Sequence, residues 1–169
     1  MHFNHYGGDA AQLAAALINT AKPFTPAGLE PVLADHNVAQ CQLSRVECQD
    51  LERWTVKLSH CFGDQEVEAR CHAINTLLSQ AASGPRISLH DGAPHLHYGS
   101  PDGGQVAHLR AITVAGLAYV VCFGGPARLG RCHRDGCETV FVDSSRNGRR
   151  NYCTARCGNT AAVARHRQH

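Results

Sequence analysis

Four cysteines near the C-terminus constrain this chain more than any other feature. Four residues separate Cys132 from Cys137, three separate Cys153 from Cys157, and fifteen lie between the pairs. Two close pairs at this distance can wrap a tetrahedral ion, each pair closing on it from one turn. The reading is one structural Zn2+ held by Cys132, Cys137, Cys153 and Cys157. A catalytic zinc would keep a coordination position open, and four thiolates leave none. An iron–sulfur cluster or four unconnected core thiols are competing readings of the same spacing.

The residues around the cysteines fit a small zinc module. Gly136 permits the tight backbone that a knuckle before Cys137 needs. Residues 138–142 read as a short strand. The Cys-x3-Cys spacing puts the second pair on the first turn of a helix running over 154–167. A knuckle, a short hairpin and a ligand-bearing helix make a treble-clef-like finger. Its core would be little more than Val140, Phe141, Val142, Tyr152 and Val163. A unit this small needs a staple, and the metal supplies it.

Charge divides at the same place. Residues 1–127 hold seven basic residues and eleven acids, a net of −4; residues 128–169 hold nine and three, a net of +6. Every base in the second group is arginine, whose planar fork suits phosphates and guanine edges. Gly124-Gly125-Pro126 is the natural boundary, giving domains 1–126 and 127–169.

The chain has 169 residues, 43% of them hydrophobic, which supports a real core and excludes wholesale disorder. Residues 9–21 read as a helix with Asp9 as N-cap and Leu13 and Leu17 inward, ended by Pro23 and Pro26. Helices follow over 28–38 (Leu29, Val32 and Leu33 inward), 44–61 (Leu51, Trp54 and Leu58) and 65–82 (Val67, Cys71, Ile74 and Leu78). Residues 86–90 and 95–98 alternate around Asp91-Gly92, a β-hairpin signal. Length favours helix over strand for 105–122. The fold class is therefore α+β: a mainly helical N-terminal domain with one β-hairpin, then the finger. No uninterrupted apolar run reaches a bilayer's width and the N-terminus lacks a signal-peptide pattern, so the expectation is a cytoplasmic protein with no membrane. Without an export signal, Cys41, Cys48, Cys61, Cys71 and Cys122 read as buried free thiols rather than disulfide partners.

Residues 144–151, Ser-Ser-Arg-Asn-Gly-Arg-Arg-Asn, form a basic loop feeding the ligand helix, on which Arg156, Thr160, Val163 and Arg167 share a face. With Arg146, Arg149, Arg150 and Arg165, these polar and basic residues are the candidate nucleic-acid contacts. The segment 128–167 resembles the CGNR zinc finger, through both cysteine pairs, Asp143, Ser145-Arg146-Asn147, Arg149-Arg150 and Cys157-Gly158-Asn159. The front of the chain resembles the ABATE domain that precedes this finger, in Gly7-Gly8, Asn19-Thr20 and the hairpin-then-helix order. The family is regarded as bacterial transcription regulators, so the resemblance implies DNA as partner and a ligand-sensing body. Thr160 departs from the motif's final arginine; its hydroxyl can donate to a phosphate but carries no charge.

His95 and His97 project from one strand face, with His90 on the paired strand. Three imidazoles there could bind a second metal or a ligand. The plainer reading turns the histidines to solvent with Leu96 and Tyr98 packed beneath. No nucleophile elbow, phosphate-binding glycine loop or paired-carboxylate motif appears. The leading expectation is a zinc-dependent DNA-binding transcription regulator with an effector-sensing body. Two alternatives are a small-molecule-binding protein or enzyme whose finger is purely structural, and a protein-interaction module.

Overall fold

The computed structural model describes residues 5–38, 42–89 and 94–167, and among these it contains six α-helices and two two-stranded sheets. Helix α1 spans His5–Asn19, α2 Pro26–Asp35, α3 Arg45–Ser59 and α4 Val67–Ala81. Strands β1 (Arg86–Ser88) and β2 (His95–His97) form an antiparallel hairpin. Helix α5 (Gln105–Tyr119) follows, then a π-helical turn at Val120–Gly124 and a 3-10 turn at Pro126–Arg128. Strands β3 (Leu129–Arg131) and β4 (Val140–Val142) pair antiparallel, and α6 covers Ala155–His166.

Local chemistry starts these helices. Thr25 caps α2 by accepting from Gly28 N, and Pro26 takes the first helical position, where a missing N–H costs nothing. Ser44 and Glu47 form a reciprocal capping box on α3. Helix α1 begins at His5, so Asp9 lies inside it and is no N-cap.

Helix α5 is the centre of the body. It packs against α1, α3 and α4, with Leu109, Val114 and Leu117 fully buried. At Gly116 the backbones of α1 and α5 meet so closely that a Cβ would stand 2.5 Å from Ala11 N. Trp54 Nε1 donates to Thr113 Oγ1 at 3.1 Å, which binds α3 to α5 and satisfies both buried groups. The stretch Gln105–Gly124 is long and apolar enough, at mean hydropathy 1.7, to cross a membrane by length and composition. His108 and Arg110 interrupt its apolar sequence. Here it serves as the core helix.

Further sequence expectations change. Of the thiols expected to be buried, Cys48 and Cys61 are, but Cys71 is half-buried and Cys122 exposed; Cys41 lies outside the described residues. On α4 the buried residues are Arg70, Ile74 and Leu77, and Val67 is 47% exposed, so the stripe is turned about one residue from the expected one. The buried Arg70 sets that rotation: its guanidinium donates to the Cys61, Leu129 and Gly63 carbonyls at 2.9, 2.9 and 2.6 Å. The hairpin is also inverted. Ile87 is 71% and Leu96 53% exposed, whereas Arg86, His95 and His97 are half-buried. Finally, Val163 is 52% exposed on a helix with no buried residue, so it is not part of a finger core.

The C-terminal segment begins inside the body's core. Leu129, Val140 and Val142 belong to the same buried cluster as Leu13, Leu17 and Leu117. Asn19 clasps β4 from the end of α1, donating from Nδ2 to Val140 O at 2.8 Å and accepting from Val140 N at 3.0 Å. Gly63 N bonds to Leu129 O, and Arg131 reaches Ser59 O.

Candidate metal centre and its basic surround

The β3–β4 hairpin positions the first two thiols. Cys132 follows β3, its N–H donating to Thr139 O, and a turn closed by Cys137 N to Arg134 O presents Cys137. Gly136 occupies that turn at φ 73°, the left-handed conformation for which glycine was expected there. The second pair comes from the start of α6. Thr154 is the N-cap, its Oγ1 accepting from Cys157 N at 3.1 Å. Cys157 thus lies on the first turn, while Cys153 stands just before the cap rather than on the helix. His133 N donates to Asn151 O and joins the two halves.

The four Sγ atoms lie within 4.8 Å of one another, the one such set of three or more metal-ligating side chains among the described residues. Cys137 and Cys153 are 3.8 Å apart and Cys153 and Cys157 3.5 Å. A tetrahedron with Zn–S bonds of 2.3 Å has edges of about 3.8 Å. The thiols fit that ion with little rearrangement, and no carboxylate or imidazole joins them.

The surroundings tune the sulfurs unequally. The Thr139 hydroxyl, 3.4 Å away, and its backbone bring the Cys137 thiol down to about 6. The Thr154 hydroxyl, then the Cys153 thiol, lower Cys157. Burial, then hydrogen bonding with Cys157, pushes Cys153 up to about 12. Arg134 Nε donates to Cys157 Sγ at 3.2 Å, an N–H···S bond that offsets thiolate charge. Arg134 and Thr139 were not singled out from the sequence; an arginine inside a Cys-x4-Cys loop was the available signal.

Asp143 organises the basic loop. The carboxylate is buried and accepts from Ser145 N and Arg150 N, both at 2.8 Å, so it holds the two ends of the loop together. Burial raises its pKa, but hydrogen bonds from Ser145 and Arg150 and the charge of Arg128 outweigh this and leave it lowered.

The structure sorts the segment's nine arginines. Arg128 is buried and binds the carbonyls of Gly124, Asp143 and Ser145. Arg131 pairs with Glu138, and Arg134 serves Cys157. Arg150, a candidate contact, stacks on Phe141 at 4.6 Å and binds the Tyr152 and Cys153 carbonyls. Arg165, another candidate, donates to Tyr152 Oη at 2.9 Å. Arg146, Arg149, Arg156 and Arg167 are exposed, and no partner is recorded for their side chains among the described residues. Thr160 is exposed, but its hydroxyl donates to Arg156 O at 2.9 Å. Beside them an open cleft of about 440 Å³ is lined by Arg150, Tyr152, Thr154, Gly158 and Asn159, among others.

The second cluster lies on the hairpin. His95 Nε2 and His97 Nε2 are 3.0 Å apart, and the His97 ring lies 5.9 Å from that of His108 on α5. His90 lies outside the described residues. His108 was missed in the sequence because only the fold brings it to the strand.

Residues 128–169 match the family model of the CGNR zinc finger. The match covers the thiol set and its basic surround and stops where the acidic body begins. No curated protein matches the chain.

Proposed function

We propose that the protein is a DNA-binding transcription regulator whose zinc finger docks on the duplex through Arg146, Arg149, Arg156 and Arg167. One observation carries this reading. Five of the nine arginines in the segment serve the fold or the metal centre, and the remaining four all face solvent around one loop and one helix. Unpaired guanidinium groups on a rigid frame suit phosphate oxygens, and the frame sets their spacing. The cleft at the start of α6, with Asn159 on its wall, is the place for a base edge or a sugar. The acidic body, with a net charge of −4 over residues 1–127, is repelled by a polyanion and takes instead the effector or partner that makes binding conditional. Such a protein works in the cytoplasm, on the nucleoid.

The test is duplex binding by the full zinc-loaded chain across a salt series. Four neutralised phosphates give a slope of log affinity against log salt of roughly −3.6. Replacing any of the four by alanine reduces the slope by about one and weakens all sequences alike. Arg165→Ala, which removes an arginine occupied with Tyr152, leaves the slope unchanged. Salt-indifferent binding, or a quadruple variant that binds as well as the parent, overturns the proposal. Selection from a random duplex library on the same sample gives the preferred site.

A further inference from the structure

Helix α6 differs from the five before it. Each of those buries apolar side chains, whereas α6 buries none. Its two sides are nevertheless distinct. Cys157, Gly158 and Ala161, which are half-buried, share the side turned to the frame. Arg156, Thr160, Val163 and, just past the helix end, Arg167 lie on the opposite side, and all four are exposed. Thr160 and Val163 stand three apart, so their side chains adjoin at the middle of that face, with an arginine beyond each end. The helix carries no acidic residue.

Neither of the two central residues suits a helix left bare. Threonine and valine are β-branched and lose side-chain freedom there, which makes them poorer helix formers than the alanines around them. Packing usually offsets that loss, and here there is none: Val163 is 52% exposed. The Thr160 hydroxyl is already engaged, donating to Arg156 O at 2.9 Å, so the group it has left to offer is its methyl. The residue that stands in place of the motif's final arginine therefore brings no phosphate contact. It brings a methyl beside those of Val163.

Resting on the DNA reading above, we propose that Thr160 and Val163 are specificity-determining residues that take the 5-methyl group of thymine in the major groove. A helix with its side chains is about 10–12 Å across, and the groove is about 12 Å wide. Arg156 and Arg167, roughly 16 Å apart along the axis, meet the phosphate walls and hold the face against the groove floor. The thymine methyl is the apolar feature of that floor and distinguishes thymine from cytosine. A second copy of this chain is the rival occupant of an apolar spot. Charge disfavours it, because two such faces brought together in either direction set arginine against arginine with no acid on the helix to relieve them.

The experiment removes one methyl at a time. The full zinc-loaded chain is titrated against the duplex selected from a random library, remade with deoxyuridine in place of thymidine at each position in turn. For the parent, losing the methyl under this pair is expected to weaken binding about three- to fivefold, the value of one buried CH2 group. Val163→Ala and Thr160→Ser, the latter keeping its hydroxyl, are expected to lose most of that discrimination while salt slope, zinc content and melting temperature stay unchanged. A parent that binds with a steep salt slope yet ignores deoxyuridine at every position overturns this inference and leaves the phosphate reading standing. So does a selected site without thymidine. A parent that binds no duplex overturns both. Discrimination that survives in both variants places methyl recognition elsewhere and overturns the pair's role. A parental dimer that Val163→Ala dissociates assigns the face to a second copy and overturns it too.

Discussion

Arg70 offers the sharpest test of the reasoning, because two large effects oppose each other there. The side chain is 3% exposed and donates to the carbonyls of Cys61, Gly63 and Leu129. Burial lowers its pKa, the sign of a charge held at a desolvation cost. Arg70→Met keeps the length and removes the charge. If desolvation dominates, the variant is as stable as the parent or more so, as happens when apolar side chains replace buried ions. If carbonyl satisfaction dominates, the variant is weaker. Leu129 O also accepts from Gly63 N at 3.0 Å, so it keeps a partner. The carbonyls of Cys61 and Gly63 lose theirs. Two orphaned buried acceptors cost about 2–6 kcal/mol, and recovered desolvation offsets part of this. The expected net loss is about 2–4 kcal/mol, or a fall in melting temperature of roughly 5–15 °C for a chain of this size. Arg70→Lys retains the charge with fewer reachable carbonyls and falls between. Urea denaturation with saturating zinc measures all three. An Arg70→Met protein at or above parental stability would refute the reasoning, since water or backbone shifts would then be satisfying those carbonyls.

Other predictions follow from single contacts. Cys153→Ser, or chelation, should release α6, because none of its residues is buried. Proteolysis should then cut at the arginines of the released helix, Arg156 and Arg165, and leave a fragment that keeps β4 and the Asp143-held loop; an unchanged digest argues against a metal-dependent α6. Asp143 has a folded pKa below its unfolded value of 3.8, so its stabilisation is full above that value and is lost as pH falls through the folded one. Asp143→Asn should therefore lower stability at neutral pH by about 1–3 kcal/mol and flatten the acid limb of the stability profile; equal acid limbs in both proteins contradict the role. Gly116→Ala places a methyl 2.5 Å from Ala11 N, against backbone that cannot swing aside, and should cost about 1–3 kcal/mol or more in denaturant unfolding.

Particular residues show how much was legible in the sequence and where it ran out. The cysteine quartet and the Gly136 turn could be read directly, because metal geometry and left-handed backbone each demand few residue types at fixed spacing. Leu13, Leu17, Leu51, Trp54 and Leu58 were equally plain, being apolar side chains at helical period. Arg70 defeated the same method, since hydrophobic periodicity is blind to a buried cation whose partners are carbonyls from two other segments. Alternation located the hairpin but could not choose its inward face. That choice depends on α5, which the strand's own residues do not encode. Strand β3 escaped notice because Leu-Gly-Arg is too short for a pattern and exists only by pairing with β4. Charge counting found the basic end but not the division of labour among its arginines, since partners such as Phe141, Tyr152 Oη and Cys157 Sγ are set by the fold.

That division bears on how metal and function connect. Strands β3 and β4, which carry Cys132 and lead from Cys137, are held by the apolar core and by the Asn19 clasp. Helix α6 has no such support; its anchors are the thiols, the cap and a few polar contacts such as that of Arg165 with Tyr152. The four outward arginines straddle this divide. Arg146 and Arg149 sit on the loop that Asp143 pins to the core-held half, whereas Arg156 and Arg167 ride on the metal-held helix. Without zinc the first two keep their places and the second two lose theirs. On the proposed reading, metal removal should therefore weaken DNA binding without abolishing it, and the salt slope should fall from about −3.6 towards about −1.8. A protein that bound DNA equally with and without its metal would separate the finger's stability from its recognition, and would place the contacts on the core-held half alone.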